Sequence, residues 1–215
     1  MRTLLEPEEI RYYETAGEIV KKAGIAIRPR IRDGERYLDI AERVENILID
    51  AGAVPAFPCT VAVNEVASHY TPSGGDELVI KRGDLVKLDF GASVEGYIAD
   101  TAFTAEAGSQ EHARLIHATE KALASSVEQI KPGTRIGEIG RAIERTATSE
   151  GFHVLKDLLG HSLGRYCLHG GLTIPGYDDG SELKVREDFV RSLREEILEL
   201  EKRLGVPTKI PPRFP

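Results

Sequence analysis

Two stretches of helical periodicity followed by strands, occurring twice along the chain, predict an α+β domain built from two related halves. The repeat is the first observation. Ile31-Arg32-Asp33-Gly34-Glu35-Arg36 matches Ile130-Lys131-Pro132-Gly133-Thr134-Arg135 position by position, and the match runs on through Ile40/Ile139, Val44/Ile143, Glu45/Glu144 and Gly52/Gly151. A self-match of that length reads as a duplicated unit. The second observation is a hairpin pattern at 85–104, where two alternating runs flank a short polar turn at 93–96. Val86, Leu88 and Phe90 fall on one face there, Lys87 and Asp89 on the other.

Composition narrows the function classes. The 215 residues, 41% hydrophobic, suit one globular domain or two small ones. A formal net charge of -7 argues against nucleic acid as the main partner, because phosphate binding wants a basic face. No apolar run approaches the roughly 18 residues of a membrane span, and the early acidic residues Glu6, Glu8 and Glu9 predict no secretory leader. Cys59 and Cys167 are far apart and lack CxxC spacing, which suits a reducing, cytoplasmic setting.

In chain order, 7–26 reads as a helix: Pro7 presets φ in the first turn, Glu8 and Glu9 favour the positive helix end, and Ile10, Tyr13, Ile19, Val20 and Ala23 form the stripe. A second helix is expected over 35–51, with Tyr37, Ile40, Ala41, Val44, Ile47 and Leu48 buried and Gly52 ending it in the left-handed conformation. Thr60-Val61-Ala62-Val63 is a strand, Ser73-Gly74-Gly75-Asp76 a turn, and 77–81 leads into the hairpin. A helix over 110–130 with Leu115, Leu123, Val127 and Ile130 inward is followed by the break at Pro132-Gly133. The next helix, through about 150, carries Ile136, Ile139 and Ile143. Beyond Ser181 the sequence departs from the repeat. Residues 182–206 read as an amphipathic helix with Val190, Leu193, Ile197, Leu200 and Leu204 three and four apart, a possible dimer seam, and 207–215 holds four prolines as an extended tail. The expected layout is therefore 1–181 as one domain (units about 1–105 and 106–181), then helix and tail.

With the hairpin turn centred on Val94 and Glu95, Asp89 and Asp100 face each other, Cβ atoms about 4.5–5.5 Å apart. Two carboxylates that close repel unless a proton or cation lies between them, so the pair is a candidate metal clamp. A solvated face on which the acids never meet fits the spacing equally well. Asp89, Asp100 and the imidazole of His161, in Gly160-His161-Ser162-Leu163-Gly164, make a ligand set for a divalent ion. His69 and His169 occupy comparable places in the two units and fit one cleft, though duplication also preserves purely structural residues. His112, His117 and His153, read onto helices, fit surface or packing positions. The chain has no GxSxG elbow and no P-loop, and neither cysteine sits in a nucleophile motif.

Three ordered motifs carry a resemblance: 56–72, from Ala56-Phe57-Pro58-Cys59 through Asn64-Glu65 to His69-Tyr70-Thr71-Pro72; Lys87-Leu88-Asp89-Phe90-Gly91 with Tyr97-Ile98-Ala99-Asp100-Thr101-Ala102; and Gly160-His161-Ser162-Leu163-Gly164 with His169-Gly170-Gly171. Over about residues 1–180 the chain resembles the methionine aminopeptidases, type II of the archaeal kind. That resemblance implies the pita-bread fold, two pseudo-symmetric halves around a pair of divalent metals (Co, Mn, Fe or Zn), and removal of the initiator methionine from nascent chains in the cytoplasm. It implies Asp89 as terminal ligand, Asp100 as bridging ligand and His161 as the histidine ligand. His69 would stand beside the scissile bond, His169 would contact the substrate and tetrahedral intermediate, and Phe57 would lie near the methionine pocket.

The same resemblance calls for two further glutamates, and neither motif appears after Ser181. Val185-Arg186-Glu187-Asp188-Phe189 echoes Val86-Lys87-Leu88-Asp89-Phe90, which puts Glu187 or Asp188 forward as a substitute. Without the missing strands the second half keeps an open sheet edge. Two readings follow: a metal-dependent methionine aminopeptidase, or a non-catalytic truncated module that binds peptide or protein and keeps a relic or single-metal site. A pita-bread peptidase cleaving before proline is a third, which the wording of the histidine motif opposes.

Overall fold

The structure, a computed structural model, describes residues 5–186. The chain packs as two compact units, interleaved in sequence rather than divided near residue 105. One comprises Arg11–His117 with Ser162–Gly171; the other comprises Met1–Ile10, Ala118–His161 and Leu172–Pro215.

In the first unit, α1 (Pro7–Ile27) leads through a short 3-10 turn, Arg28–Arg30, to α2 (Tyr37–Asp50). Of the expected stripes, Ile19, Val20 and Ala23 on α1 and Ile40, Ala41, Val44 and Leu48 on α2 are buried; Ile10, Tyr13, Tyr37 and Ile47 are only partly so, and α1 also buries Ala16 and Ile27. Gly52 follows α2 at φ 85°, the left-handed stop expected of it. Three antiparallel strands follow in the order β1-β2-β3: β1 (Val54–Val63), β2 (Leu85–Val94) and β3 (Tyr97–Glu106). Val86, Leu88 and Phe90 point into the helix-covered core, as alternation requires. Phe103 meets Phe90 edge-on at 6.4 Å, and Arg28 lies 4.4 Å above the Phe103 ring.

The hairpin register differs from the expected one. The closing pair is Val94↔Tyr97, so the turn is Glu95-Gly96 and Asp89 pairs with Ala102, Asp100 with Gly91. Both turn residues have positive φ, 52° and 87°, the geometry of a two-residue type I′ turn whose twist suits a hairpin. A turn centred one residue earlier would put the β-branched Val94 in that conformation.

In the second unit, α3 (Ala113–Gln129) and α4 (Ile136–Ser149) are joined at Gly133, φ 84°. α3 buries Ala118, Ala122 and Ser126, while Leu123 is 64% exposed and Val127 37%. The inward face expected for α3 is therefore wrong at those two positions. Short side chains let the helices meet closely: the Thr146 hydroxyl donates to Ser125 Oγ at 3.0 Å, and Ser125 Oγ to the Ala142 carbonyl at 3.4 Å. Among the described residues the core here is Ile136, Ile139 and Val185, with Ile130, Ile143, Leu172 and Ile174 against it. A two-stranded ribbon, β4 (Leu159–His161) with β5 (Thr173–Pro175), completes the described part.

Residues 182–186 do not begin a helix. The Leu183 and Val185 carbonyls accept from Ile136 (2.8 Å) and Gly133 (2.9 Å), and the Val185 N–H donates to Thr134 (2.8 Å), so this backbone is committed to an extended bridge. The same three bonds link Leu78 and Ile80 to Tyr37 (3.0 Å), Gly34 (2.8 Å) and Glu35 (2.8 Å). Val185 is therefore the counterpart of Ile80 and not of Val86, which removes the register argument for Glu187 or Asp188 as ligands. Those two residues, the remainder of the expected helix and its dimer seam, and the proline tail lie outside the described residues. His153 follows α4 and His112 precedes α3, so neither sits on a helix as read.

Candidate functional site

The acid-bearing face of the three-stranded sheet is shaped by two register shifts in β1, one between Pro55 and Phe57 and one between Phe57 and Thr60. Phe57 pairs with Gly91, yet Thr60 pairs with Asp89, so two residues of β1, Pro58 and Cys59, stand against Phe90 alone. Pro58 has no N–H to give the ladder, and the Cys59 N–H turns instead to Glu45 Oε1 on α2 at 2.9 Å. The extra residue brings Phe57 onto the same face as Thr60, Asp89 and Asp100. Gly91 is the space that makes this possible. A Cβ there would lie 2.7 Å from the Phe57 ring and 2.9 Å from the Ala99 carbonyl, so only glycine admits the ring at that point.

Asp89 and Asp100 share this face as diagonal neighbours, about 7–8 Å apart by sheet geometry rather than directly opposed. Asp89 is half-buried and Asp100 exposed. At the wider spacing the two carboxylates repel each other less than directly opposed ones would, and the gap still has room for a cation between them. Thr60, beside Asp89, is 7% exposed, and its hydroxyl has no hydrogen-bond partner among the described residues. An orphaned buried oxygen beside one hard carboxylate donor, with a second on the next strand, fits a divalent ion. Among the described residues, no three of His, Cys, Asp and Glu are gathered closely enough to hold a metal by themselves. Thr60 and Gly91 carry no signal by residue type; only the bulge and the register reveal them.

His69 ends the excursion 64–70 that leaves β1. Asn64, φ 54°, bolts its start: its N–H donates to the Leu85 carbonyl (3.0 Å), its Oδ1 accepts from the Leu85 N–H (2.9 Å), and its Nδ2 donates to Asp84 (2.9 Å). Lys87 adds a bond from Nζ to the Asn64 carbonyl at 2.8 Å, and partial burial lowers its pKa.

His169 lies in the loop Ser162–Gly171, which closes on itself through Gly170 N–H to Ser162 O at 2.7 Å. That loop docks on the hairpin turn. Tyr166 N–H donates to the Gly96 carbonyl at 2.7 Å and Arg165 Nε to the Glu95 carbonyl at 3.0 Å. A Cβ on Gly96 would fall 2.5 Å from the Tyr166 ring, so the turn glycine serves both conformation and contact. Arg165 stacks over Tyr97 at 5.2 Å, with Tyr12 and Tyr13 of α1 packed on the same ring.

Phe57, His69, Asp89, Asp100 and His169 thus belong to one unit. His161 belongs to the other, on β4, where it pairs with Thr173. Burial pushes the Cys59 thiol well up, with Glu45 and Asp89 adding to it, and so disarms it as a nucleophile.

Comparison with known proteins shows the family. Residues 11–198 match the model of metallopeptidase family M24. The chain is 46% identical over 160 residues to a methionine aminopeptidase of Thermococcus onnurineus, covering 74% of this chain and 54% of that protein. It is 42% identical over 186 residues to one of Methanothermobacter thermautotrophicus, covering 86% and 62%. The solved methionine aminopeptidase of Thermotoga maritima superposes with a TM-score of 0.80 at 32% identity, covering 87% of this chain and 79% of that one. The chain spans little more than half the length of the two archaeal relatives. Its fold is the pita-bread fold, represented in part, and the chain belongs to metallopeptidase family M24.

Proposed function

We propose that this chain is a methionine aminopeptidase, removing the N-terminal methionine of peptides and nascent chains in the cytoplasm with the help of two divalent ions (Co, Mn, Fe or Zn). The observation that carries the reading is the shared face of Asp89, Asp100 and Phe57, two acids and an aromatic ring that lies over Gly91. Asp89 would serve as terminal ligand, Asp100 as the bridge and His161 as the histidine ligand. Bound there, the metals would supply Lewis-acid polarisation of the peptide carbonyl and acidify a water.

The protein's own side chains do the rest. Phe57 offers an apolar surface for the methionine thioether, which packs well on aromatic rings. His69 and His169, each on a backbone segment tied down at both ends, donate hydrogen bonds that orient the scissile peptide and can pass a proton to the leaving amine.

Incubation of the purified protein with Met-Ala-Ser and Mn²⁺ or Co²⁺ tests the reading, with methionine release expected. A second reading draws on the missing glutamate motifs after Ser181: a module that binds peptide or protein with one metal or none. Calorimetric titration separates the two, because two tight Mn²⁺ sites support the enzyme and none supports the module.

A further inference from the structure

His69 has a backbone φ of 66°, in the left-handed region, where an L-residue other than glycine is strained. Its ring is exposed, and the restraint comes from the residue that follows. Tyr70 is held at three points. Its carbonyl accepts the Val61 N–H at 2.8 Å, its ring meets Tyr37 edge-on at 6.0 Å, and its hydroxyl donates to Asp76 Oδ2 at 2.7 Å. The acceptor is itself fixed. Asp76 Oδ1 accepts the Leu78 N–H at 2.8 Å, its N–H donates to the Ser73 carbonyl at 2.9 Å, and its own carbonyl accepts from Arg36. The chain of contacts therefore ends on Arg36 and Tyr37, where α2 begins. Backbone strain persists only where surrounding structure over-determines it, and here that structure is on view.

We propose that Tyr70, through its hydroxyl bond to Asp76, is a positioning residue that keeps His69 in the left-handed conformation and so sets the direction of the imidazole. The assignment rests on the aminopeptidase reading only for its catalytic consequence; the tether itself is a property of the fold. Hydrogen bonds to an ionised acceptor are among the stronger ones, and the Asp76 bond also raises the Tyr70 pKa. Loss of the hydroxyl alone leaves the ring on Tyr37 and the Val61 bond in place. The segment is then free to relax out of the strained region, which swings the imidazole away.

Tyr70→Phe tests this. On Met-Ala-Ser, kcat should fall about tenfold with KM changed less than about twofold, since a small misplacement of a reacting group costs rate. In a His69→Ala background the same substitution should cost nothing further, because coupled residues are non-additive. An equal loss in both backgrounds would show that Tyr70 does not act through His69. The tether has a readout independent of turnover: in ¹⁵N NMR of the metal-free protein, the His69 amide and ring signals should shift in Tyr70→Phe while those of His117 stay. Asp76→Asn, which keeps an oxygen acceptor, should give a smaller shift in the same direction. Unmoved His69 signals in both variants overturn the proposal, whereas absent turnover with shifted signals overturns the aminopeptidase reading and leaves the tether standing.

Discussion

The two helix-helix-strand halves make the same opening and then diverge. In each, a glycine near φ 85° turns the chain into a helix and an extended segment returns to pair with the residues before it: Arg36↔Val79 in one, Arg135↔Lys184 in the other. In each, the matching glutamate of the second helix accepts a backbone N–H, Glu45 from Cys59 and Glu144 from Asp178. The bridge then leads to different ends. In the first half, Ile80 is followed by the turn at Gly83 and the hairpin, and the sheet buries a continuous core from Ala16 to Ala107. In the second, the described residues stop one past Val185, and the core is three buried side chains with a few partners. Helix packing and the bridge are common to both halves; the wide core and the acid-bearing face of the first half come with its hairpin.

Four measurements test the difference between the halves. The largest effect is expected at the hairpin. Asp100→Asn should abolish Mn²⁺ uptake in calorimetry, while Asp178→Asn in the other half should leave it unchanged; retained binding in Asp100→Asn would mean the acid face is not the metal site. Next come the mates Ile40 and Ile139, 0% and 1% exposed. Ile40→Ala should cost about 3–5 kcal/mol of unfolding free energy, and Ile139→Ala nearer 2 kcal/mol, because among the described residues Ile139 has fewer buried neighbours to lose. Equal losses in denaturant titrations would show that the two cores are equivalent.

Smaller still, Gly34→Ala and Gly133→Ala should each cost about 1–2 kcal/mol. A Cβ meets nothing within 4 Å at either site, so only the left-handed backbone is penalised. Unequal costs would deny that the two turns are alike. The smallest effect is electrostatic. The hydrogen bond from Arg141, with help from the Gly180 N–H, holds the Asp178 carboxyl below its usual range. A depressed folded-state pKa stabilises above the unfolded value, about 4, and the gain is lost as pH falls through the folded value. Asp178→Asn should therefore narrow the stability gap to wild type on acidification from pH 6 to below 4; a constant gap would assign the pair no linkage.

Features that depend on period and residue type are legible without coordinates. Apolar spacing located the stripes of α1, α2 and α4, alternation chose the buried side of β2, and the glycines marked both helix ends. The choice of Asp89, Asp100, His69, His169, His161 and Phe57 came from motif wording and needed no coordinates. α3 is the exception that explains the limit: its buried face is small and hydroxylated, so a search for large apolar residues picked Leu123 and Val127, which are exposed.

Register, by contrast, is settled by pairing in the folded chain. Alternation says which face a side chain takes but not which residue it meets, and a turn can slide along a polar stretch until φ selects Glu95-Gly96. That choice made the two aspartates diagonal rather than opposed. Likewise, Pro58 signals a break in pairing, but the loss of one ladder position and the rotation of Phe57 onto the acid face appear only when β1 lies against β2 and Glu45 takes up the Cys59 N–H. Faces follow from local stereochemistry, whereas registers follow from where distant donors find their acceptors.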